Sequence, residues 1–119
     1  MLAWIFRKKK PYDTNEVLNH GLKLAMAFGK EWMQPIQTRL VKKYPELTKE
    51  EQDEYNSICQ KAMRYGHDKM YSFAENERKN VSQEEFNKYL LKEFSWVNDK
   101  IIKDVYNQGL YYVHKDFGF

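Results

Sequence analysis

From Ser82 to Tyr112 the apolar residues Phe86, Leu90, Phe94, Val97, Ile101, Val105 and Tyr112 recur at helical spacing. At about 100° per residue they fall within a sector of roughly 100°, one core-facing stripe. A helix patterned this way is stable only when other helices cover its apolar side. The spacing therefore predicts a long helix here, opened by a capping box of Ser82 with Glu85. It is expected to reach about residue 113, with Gly109 either tolerated within it or ending it.

Two more arms complete the pattern. The first is expected from Asp13 or Thr14 to about Lys43, with Asp13 and Glu16 spaced as a capping box. Val17, Leu18, Ala25, Phe28, Trp32 and Ile36 form its main face, widened by Leu22, Met26, Met33 and Leu40. A face that broad implies two partner helices or a second subunit. Pro35 lies inside the pattern and removes a backbone hydrogen bond, so a kink or a split is expected there. Thr48 with Glu51 opens the second arm, whose apolar line is Tyr55, Cys59, Ala62, Gly66, Met70 and Phe73. Arg78 and Lys79 are expected in its last turn, where the helix dipole favours cations, with Asn80 left-handed just beyond.

The three caps are evenly spaced, which would suit a helical repeat of about 34 residues. It fails: the segments at 48 and 82 share Glu50/Glu84, Glu51/Glu85 and Tyr55/Tyr89 but little else. The expected architecture is an all-α, antiparallel up-down-up three-helix bundle, or four helices if the first arm splits at Pro35. It would form a single domain over residues 13–119, behind an apolar and basic appendage at 1–12.

A chain of 119 residues can bury a core without metal or disulfide. Its 31% charged residues exclude a membrane span, and its 16% aromatic residues exclude a disordered chain. The single Cys59 fits a reducing compartment, and residues 1–10 lack the charge order of a secretory leader. The chain is therefore expected in the cytoplasm. Four of the 20 basic residues sit together at Arg7, Lys8, Lys9 and Lys10. Without them 16 basic face 17 acidic side chains, a balance of −1. A specific nucleic-acid reader needs a basic face, which this body lacks.

No catalytic set stands out, and no cofactor or metal is expected. His20, His67 and His114 form no HxxxH pair, and none follows a Glu at the di-iron spacing. Cys59 falls on an apolar line, the setting of an inert buried thiol. The glycines are isolated, so no phosphate-binding loop forms.

Two features point to binding. On the long helix Trp96 falls opposite the stripe, beside Tyr89, Lys92 and Lys103. There it either anchors a partner or covers a neighbouring part of the same chain, such as Trp4 and Phe6. At the N-terminus Leu2, Trp4, Ile5 and Phe6 precede the four cations Arg7 to Lys10, a composition suited to weak, reversible attachment to an anionic membrane. Three functions follow as expectations: a non-catalytic bundle that binds another protein or itself, a peripheral protein on the inner face of a membrane, or a binder of a small apolar ligand among Phe28, Trp32, Met63, Met70 and Phe94.

Overall fold

A computed structural model describes residues 12–27 and 34–119. Among them are five helices and no strand: α1 Thr14–Ala25, α2 Gln37–Lys43, α3 Lys49–Glu77, α4 Gln83–Glu93 and α5 Asp99–Phe117. The all-α expectation holds, but the count of three or four arms does not. The chain divides into two compact units whose boundary, between Lys61 and Ala62, falls inside α3.

In the first unit the broad first arm stops at Ala25, well before Pro35. The Met26 amide closes on the Leu22 carbonyl at 3.1 Å, and Arg39 donates to the Leu24 carbonyl at 2.9 Å. A guanidinium thus satisfies one of the carbonyls that a helix end leaves open. Pro35 lies in non-helical chain, and α2 begins after it. Phe28, Trp32 and Met33 lie outside the described residues. Asp13 occupies the position before α1 but does not cap it with its side chain. Glu16 instead accepts a hydrogen bond from the buried Tyr44 hydroxyl at 3.1 Å, which needs an acceptor more than an exposed amide does. The Thr48–Glu51 box forms in both directions, at 3.1 and 2.9 Å.

In the second unit the expected long helix is broken. Ser82 does cap α4, accepting from the Glu85 amide. At Phe94 the backbone leaves helical space (φ −132°, ψ 70°), and Asn98 starts α5 by accepting from the Ile101 amide at 2.9 Å. The stripe survives the break: Phe86, Leu90, Val97, Ile101 and Val105 are buried, while Phe94 and Tyr112 are only half-buried. α5 then runs through Gly109 to Phe117; the Met70 side chain occupies the place a Cβ at 109 would take, so the glycine serves packing and does not end the helix. α3 ends at Glu77, so Arg78 is not in its last turn. Arg78, not Asn80, takes the left-handed conformation (φ 56°).

The two units repeat one plan at a period the caps do not reveal. Advancing α1 by 45 residues, and everything from Ile36 onward by 50, superposes the burial patterns. A Cβ at Gly21 would meet Ile36 at 3.2 Å; one at the equivalent Gly66 would meet the equivalent Phe86 at 3.3 Å. The His20 and Tyr44 rings pair edge to face at 5.8 Å, as do the equivalent Tyr65 and Phe94 at 5.7 Å. Arg39 reaches Leu24, and at the matching positions Tyr89 meets Lys69. Only the third helix is out of step. Gly21 faces Cys59 whereas Gly66 faces Val105, the counterpart of Tyr55 one turn earlier.

The turn between the second and third helices is identical in pattern. Tyr44 N bonds Leu40 O and Leu47 N bonds Tyr44 O; Phe94 N bonds Leu90 O and Val97 N bonds Phe94 O. Thr48 and Asn98 then cap the next helix. Two outcomes test this plan by urea unfolding. Asn98→Ala should cost about 1 kcal/mol, the usual worth of a cap, whereas a residue inside one continuous helix would gain from alanine. Gly66→Ala should cost about 1–2 kcal/mol despite its better helix propensity, because the stiff Val105 lies 2.6 Å from the new methyl.

Candidate functional site

Tyr65, Lys69 and Phe73 follow one another at four-residue spacing on α3, so they share one side of it. Tyr89 comes from α4, and Phe94 and Trp96 from the turn that follows. Together they form a continuous line of rings. Phe73 and Tyr89 lie 5.9 Å apart, Tyr65 and Phe94 5.7 Å, and Phe94 and Trp96 6.3 Å, the last two edge to face. The Lys69 ammonium bridges the halves, 4.5 Å over the Tyr89 ring and 5.7 Å over Tyr65. A cation over two ring faces is held by their quadrupoles, which fixes a long side chain that would otherwise sample many rotamers. All six side chains are half-buried. Beside Tyr89 the line opens onto a depression of about 370 Å³, lined by Ser82, Glu84, Glu85, Lys88 and Tyr89.

The structure thus joins Tyr89 and Trp96, but not as the sequence suggests. Trp96 is not on a helix face; it lies in the turn, half-buried, with its ring against Phe94. Lys92 lies in the last turn of α4 and Lys103 on α5, both exposed and both outside the ring line. Tyr65, Lys69 and Phe73 were the missing members. Their signal is two rings and a cation one turn apart on one helix, of which the apolar line read from the sequence includes only Phe73. The anchor residues Trp4, Ile5, Phe6, Arg7, Lys8, Lys9 and Lys10 lie outside the described residues, as do Phe28 and Trp32 of the proposed ligand pocket. Met63 and Met70 are fully buried in the packing of the second unit, and Phe94 belongs to the ring line.

Burial suppresses ionisation of three further side chains, Cys59, Tyr44 and Tyr71. The Cys59 thiol donates to the Leu18 carbonyl at 3.3 Å, and burial pushes its pKa up, so the nucleophilic thiolate is suppressed. Burial and the Glu16 hydrogen bond push the Tyr44 phenol up to about 12. Burial and the bond to Asp116 do the same for Tyr71, also to about 12. These phenols are structural donors at neutral pH. Among the described residues no group of three His, Cys, Asp or Glu side chains could hold a metal ion, and no helix is long and apolar enough to cross a membrane.

Both half-buried histidines favour the neutral form. Burial lowers the pKa of His67 against the opposing pull of its 3.0 Å bond to Gln108 and of Asp68. Burial, Lys43 and Lys23 lower that of His20 against Glu16. The unfolded chain takes up these protons near the ordinary value of 6.5, where the folded chain resists them. The contribution is therefore complete above about pH 6.5 and is lost as the pH falls through the lowered folded values. Urea midpoints should decline between about pH 7 and pH 5. His67→Gln, which can still bond Gln108, should flatten that decline; an unchanged slope would assign it to other groups.

No protein-family model matches this chain, and no curated protein or solved structure matches it at a significant level. The ring line is therefore interpreted on its own chemistry. It offers ring edges, one cation held over two rings and two phenol hydroxyls.

Proposed function

We propose that this is a non-catalytic helical protein that acts by binding another protein, or a second copy of itself, through the ring line of the second unit. The supporting observation is that six aromatic and cationic side chains form a continuous line yet stay half-exposed. Aromatic residues fixed by their neighbours lose little entropy on binding and dominate interface energetics. Lys92, in the last turn of α4, would lie at the rim, where charges tune the rate and selectivity of encounter more than affinity. Lys103, on α5, would do the same where a partner extends that far.

The test compares wild-type protein with Trp96→Ala, Tyr89→Ala and, as a surface control, Lys115→Ala. In an extract of its own cells the wild-type protein should retain at least one polypeptide that the first two variants lose and the control keeps. Alternatively it should scatter light as a dimer that the same two variants dissociate. A monomer that retains the same polypeptides in every variant overturns the reading.

A second reading rests on the composition of residues 1–10, in which apolar and aromatic residues adjoin four cations. Such a segment would tether the protein reversibly to the anionic inner face of a membrane, consistent with a cytoplasmic protein. Co-sedimentation with anionic vesicles should then drop severalfold on removal of residues 1–10, and further as salt rises. Equal sedimentation with and without the segment removes the idea.

A further inference from the structure

Lys69 shows what the ring line can hold. Its ammonium lies over two rings, 4.5 Å from the centre of Tyr89 and 5.7 Å from that of Tyr65. Each of these rings is braced by another: Phe73 meets Tyr89 at 5.9 Å, and Phe94 meets Tyr65 at 5.7 Å. Tyr65 comes from α3 and Tyr89 from α4, so the packing of two helices sets the distance between them. The two rings therefore keep their places whether or not an ammonium rests on them.

The present occupant is weakly held. Lys69 is half-buried, so its side chain has a route to water. A cation over rings at such a position shifts an equilibrium only a few-fold. A primary ammonium is also strongly hydrated, and resting on rings strips part of that shell. An ammonium that carries methyl groups has less water to lose, and its methyls spread the charge against the ring faces. Next to Tyr89 the depression of about 370 Å³ has two carboxylates, Glu84 and Glu85, against one ammonium, Lys88. That balance favours a cationic ligand over an anionic one, and the depression gives the ligand's own chain room beside the rings.

We propose that Tyr65 and Tyr89 form a recognition site for a methylated lysine side chain on a partner protein, and that Lys69 holds the site closed until that side chain displaces it. This rests on the reading of the ring line as an interface and names the group that is read there. Lys69 acts as an internal competitor. It covers the rings when no partner is present, and it sets a threshold that an unmethylated lysine, with the same charge and a tighter water shell, does not pass.

The probe is trimethyllysine blocked as its acetyl amide, titrated into the full-length protein and followed by NMR through the ring protons of Tyr65 and Tyr89. Saturable binding in the millimolar range is expected, about two- to fivefold tighter in Lys69→Ala, the weight of one exposed cation–π contact. Binding should survive in Tyr89→Phe, which keeps the ring, and be lost in Tyr89→Leu, read there through Tyr65. The probe's neutral isostere, with carbon in place of the nitrogen, should not bind the wild-type protein, a comparison independent of how any variant folds. Equal binding by the isostere or by blocked unmethylated lysine overturns the proposal, as does the absence of saturable binding in Lys69→Ala. Unchanged affinity in Lys69→Ala overturns the role given to Lys69. If the probe does not bind but Tyr89→Ala still strips the wild-type partner or dissociates the dimer, the interface reading stands and this one falls. Choline that binds more tightly than the blocked trimethyllysine assigns the site to a free quaternary ammonium or a lipid headgroup, and overturns the choice of a protein partner.

Discussion

Both units depend on how a helix stops at an aromatic residue and restarts five residues later. At Tyr44 and at Phe94 the amide closes the last helical bond, and the carbonyl then accepts from the amide three residues on. That bond turns the chain and places Leu47 or Val97 inside, both buried. A Thr or Asn then supplies the acceptor that the next helix's first amides lack. If the turn failed, the apolar faces on its two sides would belong to one straight rod. Leu90 and Val105 could not then both reach Gly66 on α3. The close approach at Gly66 is the packing consequence of the turn, because only a residue without a Cβ lets Val105 and Phe86 meet there.

From this shared plan the units diverge in what they do with the space beside the turn. The first fills it with polar pairing: Tyr44 bonds Glu16, His20 lies against the Tyr44 ring, and Arg39 closes the end of α1. Tyr44 and Glu16 satisfy one another, Arg39 bonds backbone carbonyls and Tyr12 packs on the Tyr44 ring. The second unit replaces His20 by Tyr65, Tyr44 by Phe94, Glu46 by Trp96 and Arg39 by Tyr89, and keeps them half-exposed. The exchange trades hydrogen-bonding groups for rings and leaves Phe94 half-buried where Tyr44 is buried.

Much of the fold was legible because helix formation is local. The starts at Lys49 and Gln83 follow from caps, and the buried positions Val17, Leu22, Tyr55, Cys59, Gly66, Phe86, Leu90 and Val105 from a 3.6-residue period; α1 starts at Thr14 as expected, but without the Asp13 side-chain cap. The break at Phe94 was missed because the stripe keeps its phase across it: a five-residue turn carries Val97 to the same side that a continuous helix would. The signals against continuity were Asn98 ahead of Ile101 and Ile102, and a match to Tyr44–Thr48 fifty residues earlier. Identity across that match is low, so it emerges only when burial is compared. The end of the first arm at Ala25 had no local stop signal, and its Leu24 carbonyl is satisfied by Arg39, 15 residues away.

The sequence by itself determined that this chain is helical, where three of its helices begin and which residues they bury, since those properties need only near neighbours and the cost of wetting apolar surface. The tertiary structure decided that there are five helices among the described residues, that a three-helix plan occurs twice with α3 contributing to both units, and that Tyr65, Lys69, Phe73, Tyr89, Phe94 and Trp96 form one line. These follow from contacts between residues that are distant in the chain. Whether an aromatic side chain ends up as core or as surface depends on what lies across from it, and no local pattern records that.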